Sequence, residues 1–259
     1  MGPKGRPVTS ISGTQTISRA VGALRFVAAR HGKAVRLADI AEALALPRPT
    51  VHRLLQALVE EGLLARDRSS RRYVLGSFSL ELGLVSARSL TMHQQCRPTL
   101  QQLAERTGDT SFLFVRSAND SVCIDRVQGT FPIQTPSVPL GARHPLGITA
   151  GGLALFAALD DADADQVLAD IDPLLHAYGR MTGDELLRLR RLARTTGHAL
   201  IGNRAVPGVT GVGLPIFAPT GSAVAAVAVA STSERMTAAR VAEILPDLRA
   251  AAEAITRLT

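Results

Sequence analysis

Apolar residues recur every three or four positions through the first hundred residues, then gather into short alternating or continuous runs. Over residues 49–61, Val51, Leu54, Leu55 and Leu58 share one helical face, and Thr50, His52, Arg53, Gln56 and Glu60 share the other. Pro47 and Pro49 suit the first turn of that helix, where a missing N–H costs nothing and a fixed φ stiffens the start. A shorter stripe of Leu37, Ile40, Ala41 and Leu44 predicts a preceding helix over 37–45. It ends at Ala45-Leu46-Pro47, because the residue before proline avoids the α region. An earlier helix, over about 17–30, carries Val21, Leu24 and Val27. Three helices with a tight connection between the second and third make a helix-turn-helix. Gly62 suits a left-handed cap, and two short strands, LLARD and RYVLG, follow it, joined by Arg68-Ser69-Ser70-Arg71.

From 77 to about 108 the pattern is helical again, with Leu80, Leu84, Leu100 and Leu103 as stripes and Pro98 implying a break or kink. A helical connector of this kind suits dimer contacts. Beyond it, strand-like runs at 110–118 and 121–129 give way to a Pro/Gly-rich stretch, 129–147. Helical runs follow at 149–159, 163–171 and 182–196, then strand-like runs at 198–202, 210–218 and 223–232, and a last helix over 237–258. Five or six antiparallel strands flanked by helices make an α+β domain. The chain therefore divides into a disordered basic tail (1–15), a winged helix-turn-helix (16–76), a helical linker (77–108) and an α+β domain (109–259).

Charge sharpens this division. The net charge is +7. Residues 1–90 hold 14 Lys and Arg against 6 Asp and Glu, an excess of +8, and residues 91–259 hold 15 against 16, a balance of −1. A polyanion partner is implied for the first part and a neutral task for the second. Four arginines fall between residues 66 and 72, on the hairpin after the third helix. In a winged helix-turn-helix the third helix enters the major groove, and the hairpin meets flanking phosphates or the minor groove. Arg48, Thr50, His52, Arg53 and Gln56 are then the candidate base readers, and Arg66, Arg68, Arg71 and Arg72 the wing contacts to double-stranded DNA.

Catalytic and metal chemistry find little support. Two cysteines cannot build a disulfide framework, the N-terminus has no apolar signal core, and the longest apolar run, 223–230, is too short to span a bilayer. These features read as a soluble cytoplasmic protein. His93 and Cys96 lack a partner carboxylate or oxyanion motif, so ordinary packing accounts for them better than a nucleophile does. Asp161, Asp163, Asp165 and Asp172 have calcium-loop spacing, but Gln166 stands where that loop needs Gly and no bidentate Glu closes it. Acids at a helix start explain them. Gly147, Gly151 and Gly152 precede a helix and offer an anion site without any phosphate-loop motif. The six histidines are scattered, so no metal and no cofactor is expected.

Residues 17–83 resemble the N-terminal domain of the IclR family of bacterial transcription regulators, most closely in LADIAEALALPRPTVHRLLQALVEEGLLARD and RYVLG. Pro49 stands where that family usually has Ser or Thr, and Arg71 where it has Gly, which predicts a differently shaped wing tip. The resemblance continues through HPLGITAGGLALFA (144–157) and GHALIGNRAVPGVTGVGLPIFAPTGSAVAAVAVAS (197–231). It implies a GAF-like effector-binding domain, a palindromic operator, and a homodimer or dimer of dimers. Four polar signature positions are replaced, by Ile201, Arg204, Gly211 and Ala218.

Carried over by resemblance, the effector-contacting positions fall on Ala150, Gly151, Ile201, Gly211, Ala228 and Ala230. All are apolar, and all but Ile201 are small, which implies free volume and a largely apolar or aromatic effector of a catabolic operon. The alternative for the same residues is a closed core that senses nothing. For the whole chain, an α+β enzyme or signalling domain with a basic head and a non-specific DNA binder remain alternatives.

Overall fold

The computed structural model describes residues 12–30, 33–89 and 91–259, and the chain divides into two compact units, one ending at Ser89 and one starting at Leu90. The first eleven residues of the expected tail lie outside the described residues, and from Ser12 onward the chain is helical.

In the first unit, α1 (Ser12–Ala28), α2 (Leu37–Ala43) and α3 (Arg48–Glu60) precede a hairpin of β1 (Leu64–Arg66) and β2 (Tyr73–Leu75), followed by α4 (Ser77–Ser89). The core holds Ala23, Val27, Ile40, Val51, Leu55, Leu58, Leu64 and Tyr73. Val21, expected on the inner stripe of α1, instead faces outward at 37% exposure, since the helix turns Ala20, Ala23, Leu24 and Val27 toward the core. Pro47 is the N-cap of α3 rather than part of its first turn: its carbonyl accepts the N–H groups of Thr50 and Val51.

The turn before it is a Schellman motif, with Ala45 at φ +50°, Ala45 N–H donating to the Glu42 carbonyl and Leu46 N–H to the Ala41 carbonyl. That left-handed residue, more than the proline after it, ends α2. Val35 extends the hairpin by one bridge, exchanging N–H and carbonyl bonds with Tyr73 at 2.9 and 2.8 Å. The strands are shorter than LLARD and RYVLG suggested, three residues each.

In the second unit, α5 (Thr91–Thr107) leads into β3 (Thr110–Ser117), β4 (Asp120–Val127) and β5 (Arg143–Pro145). Then come α6 (Ala150–Ala157), α7 (Asp161–Leu175), α8 (Gly183–Thr196), β6 (Ala199–Gly202), β7 (Val209–Phe217), β8 (Ala223–Thr232) and α9 (Ala238–Thr256). Six strands form one antiparallel sheet in the order β5-β4-β3-β8-β7-β6. Strand β5 lies inside the Pro/Gly-rich stretch, where three residues give no readable alternation.

Strand period decides which side chains face which layer. Leu113, Val212, Leu214, Ile216, Val227 and Val229 join a core with α5 and α9, and Phe112, Phe114, Ile201, Ala226 and Ala228 join the opposite core with α6, α7 and α8. This sheet between two helical layers is the α+β, GAF-like architecture. Pro98 lies inside α5, which packs on β3, β4 and α9, whereas α4 packs on the hairpin of the first unit. Cys96 is buried in that second core. Buried Asp109 accepts from Ser231 Oγ at 2.8 Å, Arg235 Nε at 2.8 Å and Arg240 Nη2 at 3.0 Å.

Candidate nucleic-acid interface and effector pocket

Helix α3 buries Val51, Leu55 and Leu58 and leaves Arg48, His52, Arg53 and Gln56 exposed, with Thr50 half-buried at the edge. These five side chains crowd the N-terminal half of the helix, the end whose residues reach base edges in this motif. No acid lies in its first turn, so nothing on α3 opposes an incoming phosphate there.

The hairpin is held by its tip. Asp67 Oδ1 accepts from Ser69 N–H at 3.1 Å, Ser69 Oγ at 2.6 Å, Ser70 N–H at 2.6 Å and Ser70 Oγ at 2.8 Å. These bonds, the Ser69 hydroxyl first, hold its carboxyl well below the usual carboxylate range. The tip keeps a left-handed residue, with Arg71 itself at φ +55°, so replacing a glycine has kept the turn at a cost in strain rather than reshaping it. The four wing arginines are not equivalent. Arg68 and Arg71 are exposed, the Arg66 guanidinium leans over the Tyr73 ring at 5.6 Å, and Arg72 is half-buried in a groove with Phe26, Arg30, Lys33, Asp39 and Glu42.

In the second unit one cavity sits between the sheet and the start of α6. Ala150, Ile201, Gly211, Ala228 and Ala230 line it together with Phe112, Phe114, Ile148, Val206 and Val209. The register explains their meeting: Ile201 pairs with Gly211, Gly211 with Ala230, and Phe112 with Ala228, giving two adjacent rows across the sheet. Gly151 stays outside the lining. A Cβ there would come within 2.2 Å of the Phe114 ring, and one on Gly213 within 2.7 Å of the Ala150 carbonyl. Much of the small-residue pattern therefore lets α6 lie close on the sheet rather than leaving volume.

The free space is about 40 Å³, room for roughly three waters and too little for an aromatic ring. Polar groups outside the carried-over effector positions also line it: Ser137, Thr149 and Arg204. Thr149 was legible as a cap, since its Oγ accepts Gly152 N–H at 2.9 Å. Ser137 sits in the irregular 129–147 stretch and left no signal.

Among the described residues that line this cavity there is no His, Cys, Asp or Glu. Burial pushes the thiol of Cys96 up to about 11, with Asp125 adding to it, and that of Cys123 up to about 12, so both stay protonated. The His93 side chain lies outside the described residues. Among the described residues no cluster of His, Cys, Asp or Glu could hold a metal ion, and no helix is long and apolar enough to cross a membrane. The acids of α7 work locally: Asp160 caps the helix through Asp163 N–H at 2.8 Å, and Asp161 pairs with Arg190 at 2.9 Å and Arg194 at 2.8 Å.

Known proteins share this arrangement. Residues 16–68 match the IclR helix-turn-helix domain, and residues 85–257 match the family described as bacterial transcriptional regulator IclR C-terminal. The chain is 32% identical over 241 residues to the "Probable transcriptional regulator SauR" of Cupriavidus necator, covering 92% of this chain and 94% of that protein. Among solved structures, IclR of Thermotoga maritima superposes with a TM-score of 0.65 at 26% identity, over 94% of this chain and 98% of that one. An IclR homolog of Microbacterium hydrocarbonoxydans complexed with 4-hydroxybenzoate gives 0.72 at 24% identity, over 94% and 100%. With a winged helix-turn-helix head and an effector-binding domain on one chain, and family matches over both, the protein belongs to the IclR family of bacterial transcription regulators.

Proposed function

We propose that this chain is a sequence-specific operator-binding regulator whose DNA affinity responds to a small, largely apolar carboxylic acid. The observation that carries the DNA half is the division of α3 into a buried Val51-Leu55-Leu58 stripe and an exposed face of Arg48, His52, Arg53 and Gln56, with Thr50 at its edge. Arg53 and its neighbours read bases, and Arg66, Arg68, Arg71 and Arg72 supply sequence-tolerant phosphate attraction.

The effector half rests on the lining of the cavity between sheet and α6, which offers phenylalanine, isoleucine, valine and alanine surfaces to an apolar body. Thr149 already accepts the N–H groups of Gly152 and Leu153, through its side chain and its carbonyl. The N–H group of Ala150, which lines the cavity at the positive end of α6, is left for a carboxylate. The same fold in the Microbacterium protein holds an aromatic acid. An aromatic acid in this chain needs the cavity to widen.

Gel-shift titration against the DNA upstream of the protein's own gene, with random DNA as competitor, tests the reading. Preference for the upstream DNA is expected, together with a shift in affinity on adding an aromatic acid such as 4-hydroxybenzoate. Equal affinity for both DNAs would make the chain a non-specific binder. Replacing Arg53 by Ala should cost about 1–3 kcal/mol in specific affinity, as for a guanine contact, and unchanged operator binding in that variant would overturn the assignment of α3.

A further inference from the structure

We infer that the β6–β7 loop, residues 203–208, is the lid through which the effector reaches the pocket, latched by Arg204 against Glu185 and the Gly179 carbonyl. The inference rests on reading the cavity as the effector site and adds how that site opens.

Three observations converge on this loop. The free space of about 40 Å³ is bounded on one side by Arg204, Ala205 and Val206, so a ligand larger than a few waters fits only if a wall moves. The loop is bracketed by two residues in the left-handed region, Asn203 at φ +59° and Gly208 at φ +78°. Their mutual hydrogen bond, Gly208 N–H to Asn203 Oδ1 at 2.7 Å, closes its base and leaves the span between them to swing as a unit.

Between these hinges the Val206 carbonyl accepts the Val209 N–H at 3.3 Å, and the anchor to another element is one side chain. Among the described residues, the hydrogen bonds that tie residues 204–207 to the α7–α8 side are those of Arg204, Nη1 to the Gly179 carbonyl and Nη2 to Glu185 Oε1. Gly179 is itself at φ +59°, and a Cβ there would come within 2.5 Å of the Asn203 carbonyl and 3.1 Å of Arg204 Nη1. The receiving surface is thus cut to the shape of the closed loop.

The opposite wall is a poor candidate for movement. Its residues 129–138 are fixed by Gln134 Nε2 to the Gly108 carbonyl at 2.9 Å, Thr135 Oγ1 to the Ala230 carbonyl at 3.0 Å and Arg126 Nη1 to the Pro136 carbonyl at 2.9 Å. Glu185 and Arg204 are 28% and 20% exposed, so water and salt reach the latch. Arg204 also stands where the family signature usually has Glu. The sequence marks it as a departure, and the fold gives it a partner on another element.

A thiol placed behind the lid reports opening without any effector. Ala228 is 2% exposed and lines the cavity, and the two native thiols are buried and held protonated. In the full-length Ala228→Cys protein, the rate of N-ethylmaleimide labelling reads how often the pocket opens. Adding Glu185→Gln should raise that rate roughly fivefold, the effect of losing one partly exposed ion pair, and Arg204→Met, which also loses the bond to the Gly179 carbonyl, should raise it at least as much. High salt should speed labelling in the parent but not in the Glu185→Gln protein. The charge swap Arg204→Glu with Glu185→Arg should slow labelling relative to Arg204→Glu alone without reaching the parent rate, because a carboxylate at 204 cannot donate to the Gly179 carbonyl.

Ala230→Cys serves as a second reporter if the first does not fold. Labelling unchanged by both single substitutions would overturn the lid assignment. So would acceleration by Gln134→Ala alone, which would place the opening in the other wall. Because no effector is present, failure here leaves the effector reading intact, and failure of any acid to bind leaves the lid result standing.

Discussion

At the scale of single residues, five described residues other than glycine sit in the left-handed region, Ala45, Arg71, Ala118, Arg180 and Asn203, and the first two belong to the DNA-binding head. Ala45 and Arg71 both sit in the left-handed region, at φ +50° and +55°, where a Cβ costs roughly 1–2 kcal/mol. The costs have different settings. Ala45 occupies the position after the cap of α2, its methyl is exposed, and the Schellman bonds of the turn depend only on backbone. Replacing Ala45 by Gly should therefore stabilise the head by about 1 kcal/mol, somewhat offset by the greater freedom of glycine in the unfolded chain. Urea unfolding of the full-length protein, followed by a probe in the first unit, would show it as a higher midpoint at constant slope. A lower midpoint would mean that the turn is held by something other than its φ angle. At Arg71 the side chain is exposed on the wing, so the strain there has a reason that Ala45 lacks: it keeps a cation at the hairpin tip.

At the scale of elements, the wing and the end of α5 each make a checkable demand. Arg68 and Arg71 point into solvent, whereas Arg66 leans on Tyr73 and Arg72 lies near Asp39 and Glu42. For every phosphate the wing no longer neutralises, the log–log salt slope of DNA binding should fall in magnitude by about 0.9. An Arg68→Ala, Arg71→Ala pair should take most of the reduction seen in the quadruple variant, and a quadruple variant with the parent slope would refute the wing assignment. At the end of α5, Asp109 faces two arginines and a serine while almost wholly buried. Asp109→Asn should cost about 3 kcal/mol, less than a fully buried pair because Arg235 and Arg240 keep some water. A urea midpoint of the second unit left unchanged would sink this.

These two elements also show what the sequence could and could not say. The helices and the alternating strands were legible because one buried face imposes a period, and α3 declared its polar face through that period. The Asp109 cluster was not legible, because Ser231, Arg235 and Arg240 lie more than 120 residues from it and only the β3–β8 pairing brings them together. The pocket was half legible. Family positions named five of its lining residues, but Gly151, read as free volume, is a contact between α6 and the sheet, and Ser137 came from a stretch without a pattern.

At the scale of the whole molecule, the question is what covers α4. Phe78, Leu80, Leu82, Leu84 and Val85 are all exposed, between 41% and 69%, on one helix of the first unit. A helix apolar on several faces is stable when buried, and a soluble chain rarely leaves such a patch open. A second copy is the covering that fits the rest of the chain. One winged head meets one half-site, and two-fold symmetry doubles the contacts on a palindromic operator. The protein should therefore be at least a dimer at micromolar concentration, with α4 in the interface. A Leu80→Glu, Leu84→Glu double variant should run as a monomer in light scattering. It should lose about a hundredfold in operator affinity although Arg53 and the wing are untouched, because each head then binds alone. Its far-UV signal should stay that of the parent, since neither leucine contributes to the core of the head. A parent protein that is monomeric with and without DNA, or a double variant that remains dimeric, would show that another surface joins the copies or that none does.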